Sequence, residues 1–583
     1  MAIHGEPILA PMFALVFVAA RRVLGIDLYD VQLLGGLAMA RGAIAEMQTG
    51  EGKTFTTLLP ASLYALADPV HVVTVNDYLA GRDFESLAPV YQLLGFSVGR
   101  IHGELNEEAK QTAYACDITY GPGYEFGFDY LRDQVKLLTH RRPRMGETFR
   151  TQLDGVTFDH PQSMQRGHAV AIVDEIDSVI IDEATSPLIL STNARSPAAN
   201  ADVYRRAMAA ARVLNVNVDY LVDEATEALR LTAQGLLRLS CEPYRAPTRG
   251  LDRPWPKYVE QALKADHNLH CDVHYVVSQD AVLIVDQNTG RIFADRSWRD
   301  GLHQAVQAKE GVMVTEEAKS IARITRQRFF RLYQKLCGMT GTAQESEHEL
   351  REIYRLPVTV VPPHRPCQRT VLATRLFPDA SSKEVAIVEA IVCRFRCQQP
   401  VLVGTAAIAA SHRLARQLDA RGIPHTLLNG VQDVEEATIV AAAGQPQAVT
   451  IATNMAGRGT DIRLGDGVLA LGGLHVIATE PQESPRVDRQ LSGRAARQGE
   501  PGSYQLFVAA DDPLFSRHAP EMVERLKHMA VQVEQSPTDV DGVIRKVQRR
   551  AARQYAQRRR EMTAHDNWLE NVQRELAGQG RSK

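Results

Sequence analysis

A chain of 583 residues is too long for a single hydrophobic core, so three or four domains are expected. Its hydrophobic share of 45% and charged share of 23% are ordinary for a globular protein, and a net charge of −3 argues against general polyanion binding. Seven scattered cysteines form neither a disulfide framework nor a paired C-x-x-C zinc spacing, so no zinc is expected and a reducing cytosol suits them.

The most apolar stretch, Ile8 to Ala20, is interrupted by Pro11 and is shorter than the roughly 20 residues that cross a bilayer. Arg21 and Arg22 follow it rather than lead it, so it reads as a core helix and not as a signal peptide. Short apolar runs then alternate with longer helical patterns, the rhythm of a parallel α/β sheet. His71–Val75 and Ala169–Val173 are the clearest strand runs. The pattern breaks after Leu190. As far as about Val314 the texture differs, with an Arg- and Pro-rich stretch at 245–256 and a predicted hairpin made of His274–Val277 and Val282–Val285.

Alternating α/β texture resumes near Ile321, with further strand runs at Val401–Val403 and Val449–Ala452. Cys393 and Cys397, four apart in a helical pattern, are expected to be two buried thiols. After Pro537 the chain turns basic. Val543, Val547, Ala551 and Tyr555 fall at four-residue steps, which predicts a helix with a narrow apolar stripe. Eight of the 18 residues from Val543 to Arg560 are Lys or Arg, so nucleic-acid phosphates, anionic lipid and plain scaffold packing are all open readings of this helix.

Three stretches carry chemistry. Thr49-Gly50-Glu51-Gly52-Lys53-Thr54 is a Gly-rich turn entering a helix near Thr54, where backbone N–H groups can converge on phosphate oxygens. Lys53 is placed to reach the β- and γ-phosphates of ATP and Thr54 to hold Mg²⁺, although Met47 stands where G-x-x-x-x-G-K-T wants glycine. The apolar run 169–173 ends in Asp174-Glu175, where the first carboxylate can hold Mg²⁺ and the second can orient the attacking water. Far downstream, Gly457-Arg458-Gly459-Thr460-Asp461 precedes Gln490-Leu491-Ser492-Gly493-Arg494-Ala495-Ala496-Arg497-Gln498-Gly499. Arg494 and Arg497, three apart, are expected on one helix face, reaching a γ-phosphate from a second lobe.

These blocks resemble the SecA family, the ATPases of bacterial preprotein export. Asp30-Val31-Gln32-Leu33-Leu34-Gly35-Gly36 is similar to that family's adenine-reading segment, with Gln32 as reader. Similar too are Phe126-Gly127-Phe128-Asp129-Tyr130-Leu131-Arg132-Asp133, Ile181-Asp182-Glu183-Ala184, Gly301-Leu302-His303-Gln304-Ala305-Val306, Gly338-Met339-Thr340-Gly341-Thr342-Ala343 and the run Thr453 to Asp461. The resemblance implies an α/β fold of two RecA-like, DEAD-helicase-like motor domains. It divides the chain into 1–190 (first nucleotide-binding domain), 191–320 (inserted preprotein-binding domain), 321–370 (return segment), 371–530 (second nucleotide-binding domain) and 531–583 (helical scaffold).

The implied roles follow residue by residue. Gly50, Glu51, Gly52, Lys53 and Thr54 bind phosphates, Asp174 holds Mg²⁺, Glu175 is the base, and Arg494 and Arg497 are finger residues. Asp461 and Glu500 join the nucleotide contacts, and Arg132 pairs with Glu349 across the motor. Met47 is then ordinary, because the family also lacks that glycine. The partners implied are unfolded preprotein, a SecYEG-like export channel and anionic lipid at the inner membrane's cytoplasmic face, with the chain a monomer or homodimer and nucleic acid not expected. With little chain before Gln32 and an end at Lys583 inside the first scaffold helix, the family's N-terminal extension, wing, two-helix finger and zinc tail are expected to lack counterparts. That expectation keeps a non-translocating peptide clamp and a helicase-type remodeller as the rival readings.

Overall fold

A computed structural model describes residues 6–139, 163–191, 196–223, 228–247, 250–278, 280–285, 292–293, 297–317, 320–428, 439–453, 461–532 and 540–579. Two parallel sheets organise it. Across the first run strands Val358–Val360, Ile44–Glu46, Lys335–Thr340, Val170–Asp174, Val70–Thr74, Ile118–Pro122 and Val98–Arg100, all parallel. Val70–Thr74 and Val170–Asp174 are buried at every position, which is why they read as continuous apolar runs rather than alternating ones. Each lies one residue from its expected position.

Between Val170–Asp174 and its neighbour Lys335–Thr340 the chain leaves the sheet. It goes out along Leu188–Ser191 and returns along Ser320–Ile324, and these two strands pair antiparallel as a stem. The intervening residues build a separate core around Tyr204, Tyr258, Val259, Tyr275 and Val306. Its hairpin joins Tyr275–Ser278 to Ala281–Val285 with Val277 opposite Val282, as the alternation predicts. The second sheet orders Gln368–Val371, Pro501–Ala509, Leu474–Ala478, Val401–Thr405, Val449–Thr453 and Thr426–Leu428, again parallel, with Arg375–Phe377 also on Pro501–Ala509.

The first helix, Glu6–Leu24, runs straight through Pro11 and is longer than the apolar run suggested. It is only half a core helix. Met12, Phe13, Val16, Ala19 and Ala20 pack into the first lobe, while Ile8, Leu15 and Val18 are exposed. By length and apolar composition alone, Pro7–Leu24 could cross a membrane. The long helix Val540–Gln579 buries Val540, Ile544 and Val547 against the second lobe and also buries Ala551; of the expected stripe, Val547 and Ala551 are buried while Val543 and Tyr555 are half-buried.

Two expectations are corrected. Cys393 and Cys397 are both exposed, because the buried stripe of helix Ala380–Arg396 runs through Lys383, Ala386, Ile387, Val388 and Ile391. Arg132 does not pair with Glu349. One turn beyond Asp129 on its own helix, it joins a cluster with Asp129 (2.5 Å) and Glu125 (3.7 Å), where Lys110 also lies. Glu349 is instead gripped by both ends of the Arg559 guanidinium, at 2.5 and 2.7 Å, because the long helix crosses there.

A buried aromatic nest lies under the first sheet. His71 Nδ1 meets the Tyr333 hydroxyl at 2.8 Å, its ring stacks on Phe126, and His168 packs edge-on to Tyr333. Burial pushes His71 down to about 3 and His168 to about 4, so both are neutral in the fold. Their stabilising neutrality is complete above the unfolded value near 6.5 and is lost as pH falls from there toward the folded values. Thermal melts at pH 7.5 and pH 5 should therefore differ by about 2 kcal/mol per buried histidine, with the acid sample weaker and His71→Gln losing less on acidification.

Candidate nucleotide site between two lobes

The phosphate loop grows from strand Ile44–Glu46. Met47 is 1% exposed, its amide donates to Thr340 O (2.9 Å), and its sulfur accepts from the Thr56 hydroxyl. The side chain thus fills core beside Gly35 and leaves the loop's phosphate face to backbone alone. Gly50 and Gly52 have φ of 94° and 75°, the left-handed region that favours glycine. At Gly52 a Cβ would meet Gln32 Nε2 at 2.3 Å. The helix Lys53–Thr56 starts directly after this turn, so its N-terminus faces the loop.

Gln32 lies against the back of the loop. Its Nε2 donates to Glu51 O (2.9 Å) and Gly52 O (3.4 Å), and its Oε1 accepts from Tyr29 N. Tyr29 stacks on His364 with ring centroids 4.0 Å apart, and the His364 amide donates to the Glu51 carboxylate. This fixes the interlobe connection against the loop.

Lys53 Nζ donates to Glu175 Oε1 at 2.7 Å, with both side chains nearly buried. Glu175 itself turns at φ 48°, just past the strand that ends in Asp174. Burial, then the adjoining Glu175 charge, pushes the Asp174 carboxyl up to about 7, with Lys53 opposing. The buried Asp174 and Glu175 carboxylates beside the Lys53 ammonium make an acidic donor set of the kind that suits a divalent cation. Thr54 stands half-buried in the first helical turn of the same loop. No cluster of three or more His, Cys, Asp or Glu that could cage a metal occurs among the described residues. The donor set fits an ion of the Mg²⁺ kind, held by one or two protein oxygens together with phosphates.

The second lobe closes over the loop. Thr49 Oγ1 donates to Gly493 O (2.8 Å), Gln498 Nε2 to Gly50 O (3.2 Å), and the Arg497 side chain lies over Gly50. Arg497 forms an ion pair with Asp461, so these two expected residues are brought together. Arg494 and Arg497 do not share a helix face. The helix Pro485–Ser492 stops before either, and left-handed Ala496 and Gln498 bend the chain between and after them. Glu500 donates its amide to Arg497 O, and its carboxylate makes no hydrogen bond or ion pair among the described residues. Residues 454–460 of the expected downstream segment lie outside the described residues.

Sequence reasoning missed the strongest interlobe contact. Arg486, 3% exposed, reaches Asp177 at 2.5 Å and also pairs with Asp182. Gln490, one turn later, donates to the same Asp177 oxygen (2.8 Å) and to Thr342 Oγ1 (2.9 Å). The signal was present as an Arg and a Gln at i and i+4 in one polar helix. Thr340 and Thr342 hydroxyls complete the shell of Asp177 at 2.7 Å each.

Such geometry defines the class in which a phosphate loop on one RecA-like parallel sheet is closed by polar side chains from a second. The SecA DEAD-like domain family matches residues 3–351, and the SecA P-loop domain family matches 366–469 and 465–535. The chain belongs to the SecA family. It is 45% identical over 89% of its length to "Protein translocase subunit SecA" of Desulfovibrio desulfuricans, covering 58% of that relative. It is 43% identical over 98% of its length to the protein of that name in Oleidesulfovibrio alaskensis, covering 64% of it. To "Protein translocase subunit SecA 2" of Geobacillus thermodenitrificans it is 44% identical over 88%, covering 63% of it. The chain thus spans about three-fifths of the length of these relatives.

Arg486→Ala should cost about 3–5 kcal/mol, because it strands Asp177 as an uncompensated buried charge. Arg486→Lys should recover only part, since an ammonium cannot serve two carboxylates with a planar fork. Denaturant unfolding measures both; a loss below about 1 kcal/mol would show that the pair does not hold the lobes.

Proposed function

We propose that this chain is an ATP-driven protein translocase subunit that couples hydrolysis to the movement of unfolded preproteins into or across the cytoplasmic membrane. The observation that carries the reading is the closure of one phosphate loop by two lobes: Lys53 on Glu175 from within, Arg497 and Gln498 over Gly50 from across. In the proposed site the amides of Gly50, Glu51, Gly52 and Lys53 cradle phosphates, and Gln32 lies on the adenine side. Thr54 and Asp174 would hold Mg²⁺, which would supply positive charge to offset that of the phosphates.

An arriving γ-phosphate competes with Glu175 for Lys53. Lys53 then turns to the phosphate, and Glu175 is released to orient the attacking water. Arg494 and Arg497 supply positive charge to the transferring group from the second lobe, while Asp461 holds Arg497 in place. Closure and relaxation of this cleft convert binding energy into displacement. Residues 191–320, a separately cored domain on a two-strand stem, serve as the clamp for unfolded polypeptide.

The chain works in the cytoplasm and peripherally on the inner membrane, against an export channel of the SecYEG kind and anionic lipid. The basic helix favours scaffolding over nucleic-acid binding. Arg550 pairs with Glu521, Arg559 with Glu349 and Arg560 with Glu352, so part of its charge is already spent inside the protein.

Lys53→Ala should weaken ATP binding by tenfold or more, while Glu175→Gln keeps binding and lowers kcat by about 10²–10⁴-fold. Equilibrium nucleotide binding and steady-state turnover separate the two effects. Turnover assayed with unfolded polypeptide, anionic liposomes and RNA separately tests the function itself. Polypeptide is expected to stimulate, and stimulation by RNA alone would falsify the translocase reading.

A further inference from the structure

Only a short connection joins the strand that ends in Asp174 to the outgoing stem strand Leu188–Ser191. Its middle, Ser178–Asp182, is a π-helical turn, followed by a 3-10 turn at Glu183–Thr185. Single π-turns are rare and recur at functional positions. This one is held from both sides. Toward the second lobe, Asp177 and Asp182 grip Arg486. Toward the insert, Glu183 grips Arg326 at 2.6 Å.

Arg326 opens the helix Arg326–Phe330, two residues past the returning stem strand Ser320–Ile324. Next to it Gln327 donates to Ala184 O (2.9 Å), and Thr325 bonds Asp566 of the long helix. Both stem strands therefore meet at this junction, one residue from a carboxylate that holds the second lobe.

Arg326 is 1% exposed and is the largest fully buried side chain among the described residues; Glu183 is 4% exposed. A guanidinium at that depth is costly unless its five N–H groups are satisfied. Among the described residues none of its three nitrogens has a hydrogen-bond acceptor, so the 2.6 Å contact of Nη2 with Glu183 holds as an ion pair. An apolar side chain of similar length would fill the space at less cost, so the pair is a poor device for stability. Its charge is the more useful property, because an ion pair weakens as the two groups separate, whereas apolar packing is indifferent to which groups meet.

We infer that Arg326 and Glu183 form a positioning pair that makes the insert and the interlobe cleft move together. Displacement of the stem pulls Glu183, and the adjoining Asp182 then changes its hold on Arg486 and on the helix Pro485–Ser492 that precedes the finger residues. The coupling rests on the proposed clamp role of residues 191–320 for only one of its two readouts.

The first readout needs no polypeptide. Labels on Cys241 of the insert and Cys393 of the second lobe, both exposed, report their separation once Cys271, Cys367 and Cys397 are changed to serine. Adding ATP should change that separation in the parent and in Arg326→Lys. The double variant Arg326→Met, Glu183→Gln removes both charges together and should melt like the parent. In it the separation should stay fixed while basal turnover stays within about twofold. A parent without an ATP-driven change, or a double variant that changes equally, overturns the inference. In the second readout, unfolded polypeptide should stimulate turnover about fivefold less in the double variant than in the parent. Equal stimulation of the two also overturns it. A parent that polypeptide does not stimulate refutes the translocase reading instead, and the separation measurement still decides this one.

Discussion

The carboxylate of Asp177 is the point from which the two lobes hang together. It is fully buried, and it accepts from Thr340 and Thr342 of the first lobe and from Arg486 and Gln490 of the second. A buried charge is tolerable only when its lone pairs are satisfied, and here donors from the 340–342 segment and from helix Pro485–Ser492 help to do so. Because Asp177 lies three residues past Asp174, the grip fixes the second lobe relative to the strand tip that carries the acidic pair. The contacts of Thr49 with Gly493 and of Gln498 with Gly50 are peripheral by comparison, being single hydrogen bonds near solvent.

Electrostatics at the strand tip complement that arrangement. Asp174 and Glu175 bring two carboxyl groups into a buried site beside the Lys53 ammonium, with Asp83 and Arg82 also acting on Asp174. Loss of solvent, then repulsion from the adjoining Glu175, raises Asp174, so a further cation favours its charged form and a further anion favours charged Lys53. A metal–phosphate ligand supplies both at once. The same residues that form an internal ion pair therefore present groups complementary to such a ligand.

Much of this was readable locally. Strand tips, left-handed glycines and the 275–285 hairpin follow from a few consecutive residues, so composition and alternation located them to within a residue. Failures came where the deciding partner was distant. Nothing near Glu349 in sequence announces Arg559, and nothing near Asp177 announces Arg486, because those pairs exist only after the long helix and the second lobe have docked. Cys393 and Cys397 were misjudged for a related reason: four-residue spacing sets which helix face they share, not whether that face is covered. The finger residues were misplaced by assuming that helix Pro485–Ser492 continues. Gly493 and the left-handed Ala496 end that regularity, and the bend is what carries Arg497 onto Gly50.

The long C-terminal helix gives the cleft a second constraint. Gln548 donates to Asp488 and to Gln482 O, and Tyr555 to Glu483, all in or beside the segment leading to the finger residues. Further along the same helix, Arg559 holds Glu349 and Asp566 holds Thr325, both on the first lobe. A rigid rod attached to both lobes resists their separation most at its far end, where the lever is longest. Thr325 lies at that end, at the root of the insert's stem. Opening the cleft and tilting the insert are therefore not independent displacements: either one must bend the helix, break the Glu349 and Thr325 contacts, or carry the other with it. Of these, carrying the other leaves the most hydrogen bonds intact, so displacement of the insert and opening of the cleft are mechanically linked.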